Sequence, residues 1–158
     1  MHVIPEGGIG LVYCTNPAEA ARAAADFKKM FVGKEGVADV LLPDRFDEVG
    51  FSHPREYNQV PDAILVAKEG YAVSGSVTGD TLVTTYEEAR TSLGSHGFLA
   101  KLPKMNAMCI LSGAGIRTGV KLPTVDNTVI APTIARLLGL KYPDVDGKPL
   151  LEAMQTSD

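Results

Sequence analysis

The sequence predicts an α/β domain, and three observations carry that reading. Short apolar runs fit buried strands at Ile9 to Cys14, Val37 to Leu42 and Ala63 to Ala67, separated by segments with helical spacing. Helix boundaries are written in residues that cap and break helices, Asn16-Pro17 at one start and Gly139 after one stop. Strands alternating with helices make this an α/β or α+β domain, of which the reading taken is α/β, a mixed sheet with flanking helices. The 158 residues, 45% apolar and 22% charged, are enough to bury a core as a single domain over 1–158, with no repeat or linker dividing it.

Taken in order, Ile9 to Cys14 follows a glycine pair and reads as a buried strand. Asn16 caps a helix with Pro17 in its first turn, and Ala20, Ala24, Phe27 and Phe31 share one face until Gly33 or Gly36 ends it. Val37 to Leu42 is the second strand, and Pro43 opens a helical turn through Val49. A polar loop from Ser52 to Pro61 leads into the strand Ala63 to Ala67. A turn at Glu69-Gly70 should return the chain in a further strand, Tyr71 to Ser74. The β-branched stretch Thr81 to Tyr86 also has strand character. Ala107 to Leu111 is the next buried strand, carrying Cys109. Val129 to Leu138 is a helix with an apolar stripe of Ile130, Ile134, Leu137 and Leu138, with Thr128 as its cap and Pro132 in its first turn. A weak last helix covers Pro149 to Gln155.

Composition excludes several function classes. A formal net charge of −4 with no basic run argues against nucleic-acid binding. No apolar stretch approaches a membrane span, and the first residues lack a basic start and apolar run, so neither a membrane nor a secretory signal is expected and the default compartment is the cytoplasm. Cys14 and Cys109 sit in apolar runs and are expected to be reduced, buried thiols.

Three histidines, His2, His53 and His96, are far apart, and no H-x-x-x-H or C-x-x-C pair seeds a metal centre. His53 belongs to a polar loop. His96 stands in Gly94-Ser95-His96-Gly97, where glycines permit close approach of an ion or phosphate. The glycines from Gly113 to Gly119 follow an apolar run but miss the dinucleotide-loop spacing and lack the helix it needs, so they read as a turn. Gly75-Ser76-Val77-Thr78-Gly79 is not a nucleophile elbow, because its serine is misplaced. The acidic residues Asp44, Asp47 and Glu48 fit a solvated face.

Three segments in order resemble one family: Pro61-Asp62-Ala63-Ile64-Leu65-Val66-Ala67-Lys68-Glu69-Gly70-Tyr71, then Gly94-Ser95-His96-Gly97-Phe98, then Leu102-Pro103-Lys104-Met105 through Ile110-Leu111-Ser112-Gly113-Ala114-Gly115-Ile116 to Ala131-Pro132-Thr133-Ile134-Ala135-Arg136-Leu137-Leu138-Gly139-Leu140. The set resembles the C-terminal part of bacterial type I phosphodiesterase/nucleotide pyrophosphatase proteins of the alkaline phosphatase superfamily. The resemblance implies a partial alkaline-phosphatase-like domain and a two-zinc hydrolase of phosphate diesters. In that family one metal activates a threonine or serine nucleophile and both stabilise the transferring phosphoryl group. By the same resemblance His96 matches the late histidine ligand of a Gly-x-His-Gly motif, with Gly94, Ser95 and Gly97 as binding residues around it.

The family's nucleophile, early aspartate, Asp-x-x-x-His pair and Asp-His-Gly motif have no counterpart: no Asp-His dipeptide occurs, and no aspartate has a histidine four residues later. One imidazole does not hold zinc usefully. The expectation is therefore a C-terminal fragment or truncated relative of a metal-dependent phosphodiesterase, without catalytic residues of its own, forming a homo-oligomer that covers exposed sheet edges. An alternative is a small non-catalytic module that binds a phosphorylated small molecule or a partner near Gly94 to Phe98. A third reading shares a metal site between chains, joining His96 to carboxylates such as Asp62 or Asp80.

Overall fold

All three apolar runs form strands. In a computed structural model that describes residues 1–76, 79–90 and 93–155, β1 (His2–Pro5), β2 (Ile9–Tyr13), β3 (Val37–Leu41) and β4 (Ala63–Ala67) make one sheet in the order β1-β2-β4-β3. Every neighbouring pair is antiparallel, so the sheet is antiparallel and not mixed. Helix α1 (Ala20–Phe31) carries the chain from β2 to β3, which run parallel to each other, as a helical crossover requires. β4 then enters antiparallel between them and turns the unit into a split βαβ arrangement. This insertion is invisible in local sequence. The short edge strand β1 is also unforeseen; its four residues are all exposed, and their ladder runs along β2 alone.

Alternation along the strands sorts two apolar layers. Val12, Val40 and Ala63 join Ala24 and Phe27 of α1, while Ile9, Leu41, Ile64 and Val66 join Phe46 on the other face. Val37 and Val40 lie in the same cluster although three residues apart, because the β3–β4 register shifts between Val37 and Asp39. The expected α1 face is borne out, with Ala24 and Phe27 buried and the Phe27 and Phe31 rings 4.4 Å apart. Asn16 accepts a hydrogen bond from the Ala18 N–H, and Pro17–Glu19 form a 3-10 turn ahead of the helix. Pro43–Val49 is likewise a 3-10 turn, closed by Gly50 at φ 76°.

The chain divides into two units, Met1–Met105 and Asn106–Asp158. In the second, α3 (Ile130–Leu137) follows a 3-10 turn, Asn127–Val129. Asp126, not Thr128, supplies the cap there, accepting from the Thr128 N–H. The expected stripe is not the buried face. Pro132, Thr133 and Ala135 are buried, whereas Ile134 and Leu138 are 49% and 67% exposed. Small side chains let the segment at Leu150 approach: the Thr133 hydroxyl donates to the Val129 carbonyl at 2.7 Å and accepts from the Leu150 N–H at 2.9 Å. The last expected helix is reduced to a 3-10 turn, Leu151–Ala153.

Three expected strands are absent from these places. Tyr71 to Ser74 makes a single bridge, Val73 to Gly7. Thr81 to Tyr86 instead leads into the short helix α2 (Tyr86–Ala89), opened by a capping box in which the Thr85 hydroxyl accepts from the Glu88 N–H and Glu88 accepts from the Thr85 N–H. Ala107 to Leu111 pairs with no strand among the described residues, with Met108 85% and Ile110 75% exposed. A strand needs a neighbour for its backbone groups, and propensity alone supplies none. Cys109 is accordingly exposed and Cys14 half-buried, so neither is a buried thiol. The segment from Gly113 to Gly119 is a turn as expected, with positive φ at Gly113, Gly115 and Gly119. In the Gly75–Gly79 motif, Val77 and Thr78 lie outside the described residues. No helix among the described residues is long and apolar enough to cross a membrane.

Candidate functional site

The Gly94–Phe98 loop is built on the glycine pair that opens β2. The Gly8 N–H donates to the His96 carbonyl at 2.7 Å, so the sheet fastens the backbone of this histidine. Close approach explains the glycines. A Cβ on Gly7 would lie 2.3 Å from the His96 carbonyl oxygen, and one on Gly8 would lie 2.3 Å from Cγ of Phe98. Gly97 has φ +71°, and a Cβ there would lie 1.6 Å from the Glu6 carbonyl oxygen. The same pair holds the sheet margin: the Val73 N–H donates to the Gly7 carbonyl at 2.7 Å and the Ala67 N–H to the Gly8 carbonyl at 3.0 Å. In the sequence Gly7-Gly8 reads only as the start of a strand. A glycine pair entering a strand is nonetheless the signal for close backbone approach.

With its backbone held, His96 leaves its side chain exposed, and Gly94 and Ser95 are exposed beside it. The Ser95 hydroxyl oxygen sits against Gly7. The other histidines serve elsewhere. His2 lies on the exposed edge strand, and Nδ1 of His53 accepts from the Arg55 N–H at 3.1 Å within its loop. Asp62 has a structural task, accepting from the Cys14 N–H at 2.6 Å, and Asp80 is exposed.

Zinc needs three or four convergent donors. Among the described residues no group of three His, Cys, Asp or Glu side chains converges to hold a metal, so the residues present do not fit a zinc centre.

Electrostatic order lies instead on the β3 side of the sheet. Arg45 donates to Asp39 at 2.8 Å and grips Glu48 through Nε and a terminal nitrogen at 2.7 and 2.9 Å. Burial works to raise the Asp39 carboxyl, but the Arg45 hydrogen bond, the Val40 N–H and the Arg45 charge outweigh it and hold Asp39 below the ordinary range. The Arg45 hydrogen bond also leads the causes that lower Glu48, and Glu48 and Asp39 together raise Arg45. A depressed carboxylate contributes stability that is present above its unfolded pKa, about 4, and lost as pH falls through the folded value. Asp39→Asn is therefore expected to lower the urea midpoint at pH 7, with the difference from wild type shrinking at pH 3. An equal difference at both values would show that the carboxylate charge is not involved.

No family model matches the chain, and no solved structure matches it. Among curated proteins it is similar to a Mus musculus protein named bis(5'-adenosyl)-triphosphatase enpp4, at 27% identity over 100 residues. The match covers 63% of this chain and 18% of the mouse protein. The match supports at most a distant relationship to that protein.

Proposed function

We propose that residues 1–158 correspond to the late part of an alkaline-phosphatase-like phosphoesterase domain, and that the chain is not catalytically competent by itself. The observation that carries this reading is the likeness to a protein named as a triphosphatase, together with the ordered segments that include Gly94 to Phe98. The loop geometry supports a role for His96 as one exposed donor on a firmly held backbone, presented to a phosphorylated small molecule or to groups from another chain. With no ligand set around it among the described residues, no hydrolytic step is assigned to this chain. The test is the 158-residue chain dialysed without chelator, analysed for zinc, and assayed on bis(p-nitrophenyl) phosphate. Zinc far below one ion per chain and no turnover are expected. Turnover lost in His96→Ala, or two ions per chain, would overturn the reading. A reproducible half ion per chain would favour a site shared between chains.

Association into a homo-oligomer belongs to the same proposal. Val3 and Ile4 on β1 are 38% and 47% exposed, and the apolar segment at Met108 and Ile110 is more exposed still. Such side chains favour contact with another surface. Sedimentation velocity is expected to give a dimer or larger species, and a sharply monomeric boundary at high concentration would refute it.

A further inference from the structure

A cleft of about 290 Å³ opens on the sheet face opposite α1. Leu41 and Val66, both buried, and Phe98 and Leu99, both half-buried, give it an apolar lining. That volume sits at the small end of ligand pockets, which begin near about 300 Å³. It suits a single ring or a short chain.

The charged groups at this cleft do not cancel. Asp39 is taken up by Arg45, and Glu69 pairs with Lys104. Lys68 and Lys101 also line the cleft, and among the described residues neither has an ion-pair partner. Lys68 continues the alternation of Ile64 and Val66 beyond β4, which places its stem on the cleft side. Glu48 feels the Lys101 charge from a distance while it is held by Arg45. An apolar lining edged by two unpaired ammonium groups complements an apolar body with an anionic head, and disfavours a cation.

We propose that this cleft binds a small organic anion, an aromatic or aliphatic body with a carboxylate or phosphate head, its body against Leu41, Val66 and Phe98 and its head between Lys68 and Lys101. None of Gly94, Ser95, His96 and Gly97 lines the cleft, although Phe98, which follows them in the same loop, does.

The test is backbone amide shift mapping on the 158-residue chain, titrated separately with phenyl phosphate, benzoate and uncharged benzyl alcohol. Saturable shifts at Ala38, Val66, Leu99 and Lys101 are expected for both anions, with a dissociation constant on the order of 1 mM. Each rim cation should contribute about 2- to 5-fold. The double variant Lys68→Gln/Lys101→Gln should therefore weaken the anions about 10-fold, toward the alcohol, without changing the alcohol itself. Ala38→Phe, which fills the cleft from its exposed margin, should abolish binding of all three. Tighter binding of phenyl phosphate than of benzoate would identify the head as phosphate, and the reverse as carboxylate. Shifts scattered over other residues, equal affinity for benzyl alcohol, or anion binding that survives in Ala38→Phe would overturn the proposal.

Discussion

Replacing Phe46 by alanine is expected to destabilise the first unit by about 3–5 kcal/mol, the usual cost of emptying a buried phenylalanine site. Phe46 is 1% exposed and meets the Phe51 ring edge-on at a centroid distance of 6.2 Å. It shares a cluster with Ile64, Leu41 and Val66, and Leu99 packs against that cluster. The cavity would thus lie under the segment that follows His96. Domains of this size are stable by about 5–15 kcal/mol, so urea unfolding should begin at much lower concentration in Phe46→Ala. Phe46→Leu, which keeps most of the volume, should lose less than half as much. A loss below about 1 kcal/mol in Phe46→Ala would mean that the ring is not packed between the sheet and the Pro43–Val49 turn.

The second large effect is expected at Gly97. An alanine there would need the left-handed region and would set its Cβ 1.6 Å from the Glu6 carbonyl oxygen, a backbone atom that cannot swing aside. The loop must lift, which breaks the 2.7 Å bond from the Gly8 N–H to the His96 carbonyl. Strain and a lost hydrogen bond together should cost on the order of 2 kcal/mol. Hydrogen exchange reads this locally: the Gly8 amide should lose protection in Gly97→Ala while the β2–β4 ladder keeps it. Gly94→Ala is the control, because a Cβ there meets open space. Equal behaviour of the two variants would sink the claim that the loop is fastened at Gly97.

Particular residues explain which parts of the fold were legible. Asn16-Pro17, Pro43 and the apolar run Ala63 to Ala67 act through local sterics, capping and burial, and each element formed where its sequence placed it. The capping box at Thr85-Tyr86-Glu87-Glu88 was equally legible, since its signature is a threonine followed three residues later by a glutamate. The β-branched residues Thr81, Val83, Thr84 and Thr85 just ahead of it favour a strand over the same stretch. Strand character at Ala107 to Leu111 misled for a different reason. Apolar, strand-forming side chains state a preference, but pairing depends on a free neighbouring edge that no local window contains.

The candidate site divides along the same line. Gly94-Ser95-His96-Gly97 is conspicuous in one dimension, whereas the Gly7-Gly8 pair that holds it lies far away in sequence and meets it only through the fold. By itself the sequence determined the start of the first helix, the strands β2, β3 and β4 and the glycine-flanked histidine, because these follow from backbone sterics and apolar periodicity within a few residues. Tertiary structure alone decided the antiparallel insertion of β4, the buried side of α3, and the cleft where Lys68 and Lys101 meet an apolar lining. Those outcomes depend on which distant surfaces can approach one another, and that is set by packing between elements and not by any element's own preference.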